Sequence, residues 1–555
     1  MAVRDLFRRR RAGGLAPAAA GGPVGVAIHV KPHNVPGAEA SGRVFPAPIW
    51  WGLLLAVVFY ALAHFSIIIG VWPVHGTSPG AGGILLRDVL ALVAWGIVIL
   101  GLRKAHYRGA WGIVVLPVII FCLSRPSQFQ AFTDPAYQAR GAARSHANDL
   151  KATRSRLSTI DRTYSQERKE VVYQGTPPPL PDPFKTAVGE ETKGFIAKSM
   201  TYFPVFIAPL LVLVGYLLVA RQTWLLRWVR DRRLLIFIPA MLIFFGLALV
   251  PSARTTGKVA GTTPWELLLP LFIATWAAVL ADDAYNLARP GAVVSPRRLG
   301  ILVLYGGLPI VPFLVIHELG LSIVLATSFA AMLLVGTRRG WWAALLMVVW
   351  LALVLLVFRT DERSQTRASL AYHPYRELAG MAPAEQERWA GKVHQIKLFD
   401  ANVLEGDWLG DGPGRGHGET APNAADDGFF TLIAAQWGWA GGVALVLVYT
   451  VFLVELLTAA VRERGAFERC IVTGLSMLIA VPFWLAALGD MRVIPLTGVA
   501  AAFAAHGGAK LLASAFGVGV IAGISHRRTE ETRMAEVLAP PPEERSAAAD
   551  GIRVR

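Results

Sequence analysis

Pro422-Asn-Ala-Ala-Asp-Asp-Gly-Phe-Phe-Thr-Leu-Ile-Ala-Ala-Gln-Trp-Gly438 passes from a polar loop into an apolar run within a few residues, and that passage decides the fold class. The run opening at Phe429 continues to about residue 458, longer than the roughly 20 residues a helix needs to cross a bilayer. Working outward, eleven similar runs lie near 49–72, 85–102, 110–124, 202–220, 233–250, 264–281, 299–316, 319–336, 341–358, 469–489 and 494–523. Over 555 residues the chain is 54% hydrophobic, carries 17 Trp and has a mean hydropathy of +0.47. Such a chain is an all-α polytopic membrane protein, a bundle of about 12 transmembrane helices, because only helices satisfy every backbone group within one segment in lipid.

The net charge of +16 sits in short links between the runs: Arg103/Lys104/Arg108, Arg221 to Arg233, Arg297/Arg298, Arg338/Arg339, Arg462/Arg464/Arg469 and Arg527/Arg528. The positive-inside rule accounts for it, so no nucleic-acid partner is implied. With twelve crossings both termini are expected in the cytoplasm and the stretches 125–200, 251–263 and 359–428 outside. Cys122 and Cys470 have no spacing that suggests a disulfide framework or a zinc site. The expected organisation is a basic disordered arm over 1–48, transmembrane helices over 49–124, an inserted outer loop over 125–200, a membrane core over 201–358 and 429–525 interrupted by the outer loop 359–428, and a disordered cytoplasmic tail over 526–555. Within 125–200 the segment Asn148 to Tyr173 has helix-like spacing, and a Pro-rich return follows it.

A carboxylate fixed where water meets hydrocarbon is placed to act on a lipid-borne substrate, which singles out Asp426 and Asp427. An acid at the start of a span also caps orphan N–H groups, and both roles stay open for this pair. Gly406-Asp-Trp-Leu-Gly-Asp-Gly-Pro-Gly414 holds too much glycine for a helix and enough to let backbone approach a ligand. Thr263-Pro-Trp-Glu266 reads as a capping box with Glu266 in structural duty. His317-Glu318 lacks the second His of a zincin motif, and a metalloprotease is rejected. Lys510 is an ionisable residue in an apolar run, either functional or snorkelling, and Pro495, Gly498 and Gly507-Gly508 suggest a broken or re-entrant segment bringing His506 and Lys510 to an outer cavity. His64 reads as a hydrogen-bonded core residue. No Walker A, dinucleotide fingerprint or serine elbow is present.

Taken in order from Leu234 to Ser525, several of these stretches resemble the FtsW/RodA/SpoVE (SEDS) family of peptidoglycan glycosyltransferases. Arg254-Thr-Thr-Gly-Lys258 with Pro264-Trp-Glu266 is similar to the family's basic outer loop and Gln-Pro-Ser-Glu helix, and His317-Glu-Leu-Gly320 stands where the family has Pro-Asp-Leu-Gly. Arg367, Pro374, Gln395, Gly406, Gly410, Gly412 and Gly414 keep the spacing of its long loop. Pro422 to Gly438 aligns without gaps to its Pro-Glu-x-His-Thr-Asp motif, which places the family's catalytic aspartate on Asp427. Pro495-Leu-Thr-Gly498, Phe503 and His506-Gly-Gly508 resemble its last signature. Departures are Ala435-Gln436 for an acidic pair, His506 for Tyr, Lys510 for Ser and no Lys one turn beyond Glu266. The resemblance implies a core of about 10 helices, to which 49–103 adds a hairpin.

It further implies polymerisation of lipid II into glycan strands at the outer face of the bacterial cytoplasmic membrane, for division or cell shape. Asp427 would be the general base, and Arg254, Lys258, Arg367, Gln395, Lys397 and Lys510 would bind the pyrophosphate and head group. Glu266, Glu318, Asp426, Gly406, Gly410, Gly412 and His506 would serve structural roles around them. A divalent cation, magnesium or manganese, is the cofactor left open, with no ligand set fixed by the sequence. A class B penicillin-binding protein is the implied partner. Two other readings stay open: a lipid-linked oligosaccharide flippase, and an inactive cell-wall scaffold.

Overall fold

In a computed structural model the described residues are 47–77, 81–134, 203–250, 259, 263–288, 295–316, 318–360, 362–373, 383–415, 424–426 and 428–538. The arm 1–46, the Asn148 to Tyr173 segment, the Pro-rich return and the last residues of the tail lie outside them. The helices are α1 (Ala47–Gly70), α2 (Trp72–His75), α3 (Ala81–Lys104), α4 (Gly112–Thr133), α5 (Phe203–Arg221), α6 (Thr223–Asp231) and α7 (Arg233–Leu249). A 3-10 turn, Pro264–Leu267, leads into α8 (Leu269–Ala288). Then come α9 (Pro296–Gly307), α10 (Val311–Val315), α11 (Leu319–Thr337), α12 (Gly340–Thr360), α13 (Glu362–Tyr372) and α14 (Pro383–Glu405). The chain ends with α15 (Phe429–Arg462), α16 (Ala466–Asp490) and α17 (Gly508–Leu538). Among the described residues eleven spans are long and apolar enough to cross a membrane, and the pair α6–α7, bent by 69°, makes a twelfth when taken as one broken span.

Burial separates the spans into two kinds. In α4, 94% of the apolar window is inside the protein, whereas in α12 only 6% is, so α4 is core and α12 presents its sides to lipid. The central helix α16 packs on α8, α11, α15 and α17, and the Phe483 ring stacks on Tyr449 with centroids 3.9 Å apart. Where α5 crosses α17 the backbones nearly touch: a Cβ on Gly215 would stand 2.7 Å from the Phe516 carbonyl oxygen. Small residues at such a crossing replace a hydrophobic driving force that lipid does not supply.

Three stretches depart from expectation. Helix α4 runs nine residues beyond the expected end at 124, to Thr133, because Ser124, Arg125, Ser127, Gln128 and Gln130 are polar yet buried against partners inside the bundle. Helix α17 continues through 526–538, which the sequence placed in a disordered tail. Among its charged side chains Glu530 pairs with Arg108 Nε at 3.1 Å, and Arg528 Nη1 stands 3.6 Å from Glu463. The polar stretch 359–428 contains the helices α13 and α14 rather than irregular chain alone.

The two ends of the bundle differ. One collects basic links: the amide of Arg108 donates to His526 Nδ1 at 3.0 Å, Arg230 pairs with Asp282 at 2.7 Å, and Arg298 faces Asp283 at 3.6 Å. The end of α4, the starts of α8, α15 and α17, and the glycine-rich stretch lie at the other.

Candidate active site

At that second end the acid loop is pinned on both flanks. Ala425 accepts a 2.9 Å hydrogen bond from the His506 amide, and Gly428 is packed against Phe399. The N–H of Phe430 in the first turn of α15 donates to Asp490 Oδ2 at 3.0 Å, so a carboxylate from the end of α16 performs there the capping role open to the acid pair. Asp426 is half-buried; Asp427 lies outside the described residues, as do Arg254, Lys258 and His317.

Helix α15 is broken at Gly438, where φ is +63° and ψ is −166°. A break in a span orphans backbone groups, and in lipid these must find partners within the protein. The stretch Gly406–Gly414 supplies them. Trp439 N donates to Asp407 O at 2.9 Å and Ala440 N to Trp408 O at 3.0 Å, while Asp411 N donates to Ala435 O at 3.2 Å and Gly412 N to Gln436 O at 2.9 Å. Gly410 has a φ of +74°, and a Cβ there would overlap the Gln436 carbonyl. Gly406 and Gly410 therefore admit another backbone, where the sequence suggested a ligand.

The last turns of α4 reach the glycine-rich stretch, α15 and the irregular segment before α17. Gln130 Oε1 accepts from Gly414 N at 3.1 Å and from the Gln436 amide group. Trp437 Nε1 donates to Ser127 Oγ at 3.0 Å, Ser124 Oγ donates to the Phe503 carbonyl at 3.2 Å, and Gln128 Nε2 donates to the Ala504 carbonyl. Beneath them lies a buried charge cluster. Asp88 of α3 accepts from Arg87 Nε at 2.8 Å and Arg125 Nε at 3.0 Å, and His64 Nε2 of α1 is 3.5 Å away. His64 Nδ1 also bonds the Tyr60 carbonyl at 2.9 Å, as its core reading anticipated. The cluster was missed in the sequence, although Arg87-Asp88 inside an apolar run was the signal.

Residues 491–507 run irregularly into α17, as Pro495 and Gly498 foretold, and the Tyr449 hydroxyl donates to Ala502 O at 2.7 Å. Lys510, in the first turn of α17, is 1% exposed, its Nζ donates to no partner among the described residues, and it lies within electrostatic reach of Glu266. The expected capping box is not formed at Glu266: Thr263 Oγ1 donates to the Glu266 carboxylate at 2.9 Å instead of capping the backbone. Glu318 precedes α11, whose Gly320 packs against Thr497 and Val499 of the irregular segment. On α13 and α14, Arg367 and Gln395 are half-buried and Lys397 is exposed. Among the described residues no three His, Cys, Asp or Glu side chains converge.

The sequence profile of the FtsW/RodA/SpoVE family, described as "Cell cycle protein", matches residues 210–530, more than half of the chain. The chain belongs to this family. Among its relatives, the peptidoglycan glycosyltransferase RodA of Mycobacterium tuberculosis is 28% identical over 218 residues, 39% of this chain and 44% of that one. The chain thus spans under half the length of that relative. The probable peptidoglycan glycosyltransferase FtsW of Trichlorobacter lovleyi is 27% identical over 330 residues, 56% of this chain and 80% of that one. Among solved structures, the rod shape determining protein RodA of Thermus thermophilus is 17% identical, covering 60% of this chain and 92% of that one with a TM-score of 0.39. The hairpin α1–α3 precedes the stretch the family profile matches.

Proposed function

We propose that the chain polymerises lipid II, a lipid-linked disaccharide-peptide, into glycan strands at the outer face of the bacterial cytoplasmic membrane. The observation that carries this reading is the acid loop, fixed by the His506 amide on one flank while Asp490 caps Phe430 on the other, at the end of the bundle away from the basic links. Both termini are then cytoplasmic, since the basic links belong inside.

In the reaction a sugar hydroxyl attacks the anomeric carbon of a second lipid-linked sugar. The bond to the pyrophosphate oxygen breaks, the hydroxyl proton passes to the Asp427 carboxylate, and undecaprenyl pyrophosphate leaves as the anion. A positioned base contributes roughly 10²- to 10⁴-fold in rate. Cations at the developing charge supply the complementary stabilisation, and Arg254, Lys258, Arg367 and Lys397 carry it from the outer loops. The buried Lys510 acts beside Glu266 rather than as a solvent-facing clamp. A class B penicillin-binding protein, which would cross-link the strands, is the proposed partner.

Purified protein in detergent with fluorescent lipid II is expected to form chains, and Asp427→Asn to form none while purifying normally. Full synthesis by that variant removes Asp427 from the mechanism. Lipid movement across vesicles without chain growth would instead mark a flippase.

A further inference from the structure

Hairpin α1–α3 is joined to the acid loop by a line of hydrogen bonds with few breaks. Asp88 holds Arg125 at 3.0 Å, Arg125 Nη1 donates to Gln128 Oε1, and Gln128 Nε2 donates to the Ala504 carbonyl. Two residues further on, the His506 amide donates to Ala425, which is two residues before Asp427. Aromatic contacts run alongside: the Arg87 guanidinium lies 5.4 Å over the Phe132 ring, and Phe132 meets His506 edge-on at 4.7 Å.

The segment at the far end of this line does not hold its own shape. Phe503 has a φ of +63°, a conformation that a bulky residue keeps only where its surroundings over-determine it. Its carbonyl and that of Ala504 take donors from α4, from Ser124 and Gln128. Docking a hairpin needs no such device. Apolar side chains pack helices together without the desolvation that Arg87, Asp88 and Arg125 undergo, and buried ion pairs are often neutral or worse for stability than apolar replacements. What charges offer instead is a fixed direction: Asp88 orients the Arg125 fork, which fixes the Gln128 amide so that its N–H points at Ala504.

We infer that Gln128, held by Arg125 and Asp88, is a positioning residue for the acid loop at Ala425 and Asp426, so that the N-terminal hairpin is a working part of the site. The activity consequence rests on the glycosyltransferase reading; the structural consequence does not.

Hydrogen exchange on the full-length protein in nanodiscs, with kinetics on fluorescent lipid II, tests this. Gln128→Met keeps volume and leaves Asp88 paired with both arginines while removing the donor to Ala504. The amides of His506 and Phe430 are expected to exchange about tenfold faster, the scale of one lost buried hydrogen bond, with those of α16 unchanged. In the same variant kcat falls with KM within about twofold, since ground-state binding is retained. Arg125→Met, which leaves Arg87 and Asp88 as a balanced pair, gives a smaller change in the same direction and decides the question if Gln128→Met does not fold. Leu55→Ala, on the lipid-facing side of α1, changes neither readout. Unchanged exchange at His506 and Phe430, or acceleration spread evenly through α16, overturns the inference whatever the activity. Lack of chain formation by the unaltered protein, with local exchange as expected, would sink only the glycosyltransferase reading.

Discussion

Replacing Gly410 with alanine tests whether the glycine-rich loop and the broken helix α15 are one structure. At φ +74° any residue with a Cβ sits in the left-handed region at a cost of about 1–2 kcal/mol. The Cβ would also stand 2.5 Å from the Gly438 nitrogen, against backbone that cannot swing aside, and overpacking of this kind adds about 1–3 kcal/mol. Together the penalty is roughly 2–5 kcal/mol. Gly412 is the matched control: its φ is +91°, but nothing lies within 4 Å of the added carbon, so Gly412→Ala carries only the conformational cost of about 1–2 kcal/mol. Cys122 and Cys470 are both free and buried, which allows thermal unfolding in detergent to be followed by their reaction with a fluorogenic maleimide. Gly410→Ala is expected to melt several degrees below Gly412→Ala, at about 2–4 °C per kcal/mol or somewhat less for a chain of this size. Equal melting of the two variants would show that the loop does not press on α15, and the account of the Gly438 break would fail.

Asp490→Ala removes the charged acceptor of the Phe430 amide and is expected to lower stability by about 1.5–3 kcal/mol, with Asp490→Asn losing less because its oxygen still accepts; a denaturant melt ranking Asn below Ala would contradict this. Burial raises the Glu463 carboxyl to about 7, with Arg528 opposing and Glu468 and Glu531 adding to the rise. The folded protein therefore favours the neutral acid, and the stability this contributes is full below pH 4.5 and lost as pH rises through about 7. Melting temperatures measured from pH 4.5 to 8 should show Glu463→Gln gaining on the unaltered protein as pH rises, and parallel curves would refute the burial argument.

The spans were legible because lipid demands long apolar runs, and the irregular entry to α17 because Pro495 has no N–H to continue a ladder and Gly498 takes a φ of +69° that glycine tolerates. What escaped was set by tertiary contact. Hydropathy ends α4 at Ser124, yet the helix goes on because Ser127, Gln128 and Gln130 each have a partner that no local pattern reveals. Gly438 looks like any small residue in a span until Trp408 and Asp407 are seen filling its break. The capping of Phe430 falls to Asp490, sixty positions away, so reading the acids next to that turn could not identify the partner. Gly406 to Gly414 announced unusual backbone correctly, but glycine alone does not say whether the visitor is a substrate or another strand of the same chain.

Because the seam between Gly406–Gly414 and α15 is made of main-chain groups, it is indifferent to lettering and strict about count. The bonds come as two pairs, Asp407 and Trp408 accepting from Trp439 and Ala440 beyond the break, and Asp411 and Gly412 donating to Ala435 and Gln436 before it. Side chains at Trp408 and Leu409, both turned outward, take no part in these bonds, whereas adding or dropping a single residue between them would shift one pair of bonds against the other. Engineering at this loop should therefore hold its length fixed and vary its outward-facing residues.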